Sequence, residues 1–64
     1  MDKEFKDLSI GQVFDTEFII ENQFIRGIKK SSRTGLMLLD KDDSFIMYFS
    51  QNTKVKETNI FTVI

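Results

Sequence analysis

Gln12-Val13-Phe14-Asp15-Thr16-Glu17-Phe18-Ile19-Ile20 is the stretch on which the fold turns. Its polarity changes with a period of two, as a half-buried strand requires. Phe14, Thr16, Phe18 and Ile20 share one face; Val13, Asp15, Glu17 and Ile19 share the other. Glu21-Asn22 follows as a two-residue turn, with Asn tolerant of positive φ. Gln23–Lys29 then reads as the returning strand, and Gly27 in its interior predicts a bend or bulge. Beyond it, Ser31-Ser32-Arg33-Thr34-Gly35 is loop chemistry. Leu36–Leu39 is wholly apolar, which predicts a strand buried on both faces. Asp40-Lys41-Asp42-Asp43 is a turn, and Ser44–Phe49 a strand with Phe45, Met47 and Phe49 on one side and Ile46 and Tyr48 on the other. Ser50–Lys54 is a polar connection. Val55–Ile64, or at least Asn59–Ile64, is the fifth strand, so apolar that it is expected either inside the sheet or against another chain.

On the other side of the opening stretch, residues 2–9 predict one or two helical turns. Asp2 can cap them, Phe5 and Leu8 fall on one face, and Gly11 stops them. The whole is a single domain, residues 1–64, mainly all-β: a small five-stranded antiparallel barrel with a short N-terminal helical turn.

Composition narrows the chemistry. The chain has 64 residues, with no Cys, no His and no Pro. A domain of this size buries only about 60% of its unfolded surface, and no disulfide can staple it. Either a dense core of its seven Phe and its aliphatic residues or oligomerisation must compensate. Without His or Cys there is no imidazole base and no thiol nucleophile, so the expected class is not an enzyme, with no cofactor and no metal. The acids Asp40, Asp42 and Asp43 lack the further ligands and the glycine of a calcium loop and read as a hairpin turn. No apolar run reaches the roughly 20 residues of a membrane helix, and residues 1–7 alternate acids with lysines instead of leading into a signal-peptide core. The expected location is the cytoplasm.

Net charge is −1, yet its distribution is uneven. Residues 1–25 hold six acids and two lysines, whereas Arg26, Lys29, Lys30 and Arg33 follow one another with no acid between them. Small Ser31, Ser32, Thr34 and Gly35 around these cations allow close approach to phosphates. Phe24 and Tyr48 can present rings for stacking. These six residues, Phe24, Arg26, Lys29, Lys30, Arg33 and Tyr48, form the candidate nucleic-acid-binding set. Each also has a plain structural reading: charges as a solvated loop, and Phe24 and Tyr48 as core.

The stretch from Phe18 to Tyr48 resembles the bacterial Sm-like (Hfq-like) RNA-binding family. The resemblance rests on Phe18-Ile19-Ile20 leading into a turn at Glu21-Asn22, on Gly27 five residues later, on Leu36-Met37-Leu38-Leu39 as central strand, and on Ile46-Met47-Tyr48 where that family has an apolar pair and a Tyr. It implies an SH3-like/Sm-like barrel, single-stranded RNA as ligand and assembly into rings. Phe49-Ser50 stand where the family carries the Lys-His pair of its base pocket. An OB-fold is the competing barrel, suggested by Leu8–Val13 and the basic loop.

The resulting expectation is a non-catalytic barrel that binds RNA or another single-stranded nucleic acid through phosphate contacts from residues 26–33, with self-association as homo-oligomer. The alternative is a protein-interaction module, such as a small adaptor or inhibitor from a phage or mobile element. It would act through a strand edge or the acidic face at Asp15, Glu17 and Glu21.

Overall fold

The computed structural model describes residues 2–20, 23–39 and 43–62. The turns expected at Glu21-Asn22 and Asp40–Asp42, and the end of the last strand at Val63-Ile64, lie outside them.

Among the described residues six antiparallel strands form one sheet: β1 (Asp2–Glu4), β2 (Gln12–Ile20), β3 (Gln23–Lys29), β4 (Thr34–Leu38), β5 (Ser44–Tyr48) and β6 (Lys54–Phe61). The order across the sheet is β1-β6-β2-β3-β4-β5. β2 and β3 occupy the expected spans. The sheet has six strands where five are expected, because Asp2–Glu4 is extended and not helical. It pairs with Lys54–Lys56 of β6, and Glu4 sits 3.7 Å from the Lys54 amine. The helical character of residues 2–9 shrinks to a 3-10 turn at Phe5–Asp7. The ladder and opposite charges outweigh a weak local preference. Phe5 and Leu8 are nevertheless both buried. Gly11, at φ 92°, turns the chain into β2. Its N–H donates to Lys29 O and its carbonyl accepts from Thr62 N–H.

Two irregularities bend the sheet. Between the pairs Asp15↔Arg26 and Ile19↔Phe24, β2 spends three residues against the single Ile25. Between Phe14↔Glu57 and Gln12↔Phe61, β6 spends three against the single Val13. In each case a threonine hydroxyl reaches the carbonyl of the lone residue: Thr16 Oγ1 donates to Ile25 O at 2.9 Å and Thr58 Oγ1 to Val13 O at 2.6 Å. Such bulges sharpen twist and curvature.

The curvature brings the two flanks of the sheet together. Phe5 follows edge strand β1 and Phe49 follows edge strand β5, yet their rings stack 4.5 Å apart. Phe14, from the middle of the sheet, meets both edge-on at 5.5 Å. Each such pair adds about 0.5–1.5 kcal/mol beyond burial. Leu8, Ile25, Met37 and Val55 complete the core. Among the described residues no ladder joins β1 to β5, so the sheet is open.

Two further expectations change. Gly27 is not a bulge: it holds register between Phe14 and Met37. A Cβ there would lie 2.7 Å from Met37 Sδ and 2.9 Å from Phe14 Cζ, so it is the absence of a side chain that matters. And β4 is not buried on both faces. Gly35 and Met37 point into the core, Leu36 and Leu38 are half-buried, and Leu39 is exposed. An open sheet has no second layer to cover its outer face.

Candidate nucleic-acid interface

Alternation along β3 decides the fate of the candidate residues. Ile25, Gly27 and Lys29 point inward; Phe24, Arg26 and Ile28 point outward, and Lys30 continues the outward set. Register carries this outer face across to β5 in rows. Lys30 pairs with Thr34 through an N–H···O bond, and Thr34 faces Tyr48. The next row is Ile28, Leu36 and Ile46, and the next Arg26, Leu38 and Ser44. With strands about 4.8 Å apart, Lys30 and Tyr48 are roughly 10 Å from each other. Arg33 lies beside the Tyr48 end, its carbonyl accepting from Phe49 N–H at 2.7 Å.

Five of the six candidates are therefore on this face or at its rim. Tyr48 is 79% exposed and Phe24 67% exposed, so neither is a core residue. Lys30 and Arg33 are exposed. The loop between them is braced from within: Ser31 and Thr34 share a hydroxyl hydrogen bond, and the N–H groups of Lys30 and Ser31 both donate to Thr34 O.

Lys29 is the exception and a correction. It is only 4% exposed. Its Nζ donates to Phe5 O at 2.9 Å and to Leu8 O at 2.8 Å, and stands 4.8 Å from the centroid of the Phe5 ring. Burial pushes its pKa below the ordinary lysine value, with the Asp7 carboxylate pulling the other way. Lys29 is the peg that fixes the 3-10 turn to β3 and is not placed to meet a ligand on the outer face. Counting by twos from Ile25 would have found it.

Arg26 is outward but engaged. Its Nε and Nη2 grip both oxygens of Asp15, at 2.8 and 3.2 Å, across directly paired positions. That hydrogen bond and the carboxylate's charge raise the Arg26 pKa further. The pair is half-exposed, so its contribution to stability is small. Asp15→Asn is expected to lower the urea midpoint by no more than about 0.5 kcal/mol equivalent; a loss several times larger would show that the pair orders the bulge beside it.

Sequence reasoning missed the aliphatic row Ile28–Leu36–Ile46, which only strand register reveals. Among the described residues there is no enclosed pocket and no helix long and apolar enough to cross a membrane. No family model, curated protein or solved structure matches the chain.

Proposed function

We propose that this chain binds single-stranded nucleic acid, RNA being the form its sequence resemblance implies, on the outer face of β3–β5 and without catalysis. The supporting observation is the highly exposed Tyr48 ring at the end of the Lys30–Thr34–Tyr48 row, beside Arg33. Tyr48 and Phe24 supply stacking surfaces; Lys30 and Arg33 contact phosphates. The curl that stacks Phe5 on Phe49 supports reading the sheet as an SH3-like or Sm-like barrel in shape.

The cation set is smaller than sequence suggests, since Lys29 is buried and Arg26 is held by Asp15. Two phosphate contacts on a single strand predict a logarithmic salt slope of about −1.4. Fluorescence anisotropy with a labelled U-rich oligonucleotide, titrated at several salt concentrations, measures it. Tyr48→Ala should cost about 1–3 kcal/mol of binding, and Lys30→Glu with Arg33→Glu should abolish it. An oligonucleotide that fails to bind the wild-type chain at low salt, or one that ignores all three changes, overturns the proposal.

A second reading, a protein-interaction module, is favoured by the Ile28–Leu36–Ile46 row, which gives the same face an apolar centre. Retention on heparin at low salt separates the two. The nucleic-acid reading expects retention, whereas a protein adaptor of net charge −1 passes through.

A further inference from the structure

We infer that β5 pairs with β5 of a second copy of this chain, antiparallel, about a two-fold axis through Ile46. The argument begins with the hydrogen bonds of the β4–β5 hairpin. Phe49 N–H donates to Arg33 O and Leu39 N–H to Asp43 O, on the same register as Gly35↔Met47 and Met37↔Phe45. In an antiparallel ladder, bonded and non-bonded pairs alternate. The odd-numbered residues of β5 therefore bond to β4, and the N–H and C=O groups of Ser44, Ile46 and Tyr48 point at the open edge. Among the described residues no backbone group meets them.

The two edges of the sheet are unlike. β1 is three residues long and every one is charged, the usual protection against strand addition. β5, Ser44-Phe45-Ile46-Met47-Tyr48, has no charge and no Pro, and its register with β4 is unbroken. An uncharged strand can lie antiparallel to itself without like-charge repulsion. With the axis at Ile46, Ile46 faces Ile46 and Ser44 faces Tyr48 of the second copy, so every free edge group finds a partner. The aliphatic row Ile28–Leu36–Ile46 then continues across the axis into its own copy.

Charge at the strand ends fits the same arrangement. Asp43, exposed, precedes β5, and Arg33 adjoins its far end through Phe49. Antiparallel pairing sets Asp43 of one copy opposite Phe49 of the other, one strand away from that copy's Arg33. Both ends of the interface thus bring an acid towards an arginine. Pairing β5 with β1 of a neighbour would offer the uncharged strand only a short charged one.

The test uses the full chain and its lack of cysteine. Mass by light scattering across a dilution series should approach twice 7.5 kDa. Ile46→Cys should form a disulfide dimer on mild oxidation, because residues facing each other in a bonded pair have Cα atoms about 5.5 Å apart, inside the disulfide range of about 4.4–6.8 Å. Ile10→Cys, exposed away from the edge, should not. Ile46→Lys should give a 7.5 kDa monomer with unchanged circular dichroism, since its side chain is 53% exposed and its backbone bonds lie outside the β4 ladder. A wild-type monomer at all concentrations, an assembly of six or seven copies, or equal cross-linking at Ile10 and Ile46 would each overturn the two-fold pairing. Either result leaves the oligonucleotide experiment to be judged separately.

Discussion

Lys29→Met is expected to lower the unfolding free energy by about 2 kcal/mol, measured as a shift in urea midpoint. Methionine keeps the length of the stem and most of its packing, so the change isolates the amine. That amine donates to Phe5 O and Leu8 O. Phe5 O keeps a second donor in Leu8 N–H at 3.2 Å; Leu8 O loses its side-chain partner. Hydrogen bonds from a charged donor contribute about 1.5–3 kcal/mol each. Relief of the ammonium's desolvation offsets part of the loss, but backbone carbonyls cannot be mutated away to balance it. For 64 residues total stability is roughly 3–10 kcal/mol, so the loss is a large fraction.

The same residue sets a pH signature. Burial depresses the folded-state pKa of Lys29 below the ordinary 10.5. Between the two values the unfolded chain holds more protons than the folded one, and stability rises with pH until the unfolded lysine also deprotonates. The wild-type chain should therefore gain on Lys29→Met as pH climbs through the alkaline window just below 10.5. Parallel urea midpoints for the two proteins check it, since all other titrations are shared. A flat difference across that window would refute the buried-amine reading.

Gly27→Val is expected to cost about 3 kcal/mol, and Gly27→Ala about 1–2 kcal/mol. The inner row across the sheet runs Phe14, Gly27, Met37, Phe45, and only the glycine lets the two large side chains on either side of it approach. Met37 Sδ can swing away from a new Cβ. Phe14 Cζ cannot, because its ring is held edge-on by both Phe5 and Phe49. Valine adds two methyl groups that extend beyond the Cβ. Thermal unfolding should show Gly27→Val folded at low temperature at best, and shortening Met37 to Val should recover part of the alanine variant's loss but little of valine's. A Gly27→Val midpoint equal to wild type would mean that the core rearranges freely around Phe14.

Much of this architecture is legible in the chain, and its failures are physical. The spans of β2 and β3 follow from alternation between Gly11 and the loop at Ser31, although burial departs from period two at the start of β2, where Val13, paired with outward Ile28, is buried beside Phe14. Residues 2–4 misled because acids followed by Phe5 and Leu8 suit a helix locally, while their actual partner, Lys54–Lys56, is distant in sequence. Lys29 misled because a cation beside Lys30 and Arg33 reads as surface. Its inward direction appears only when Ile25 and Gly27 are counted with it, and the carbonyls that receive it come from a turn whose position the sequence does not encode nearby. The apolar run at 36–39 reads as central because nothing in it signals that the outer face of β4 is uncovered. Phe24 and Tyr48 stand out in the sequence as rings, but their exposure depends on a missing layer.

The position of β6 bears on the order in which the chain can fold. It lies between β1 and β2, so residues 2–4 have no strand neighbour until Lys54–Phe61 has docked beside β2. The β2–β5 meander is made of consecutive hairpins and can form early. During that interval β2 exposes one whole side to solvent, and Phe5 has yet to join Phe14 and Phe49. Loop-closure entropy makes this long-range docking the slow step, and until it is complete the meander presents two unpaired edges at once, β2 and β5. In refolding of the full chain, strand addition at those two edges therefore competes with the return of β6, and the competition grows with protein concentration.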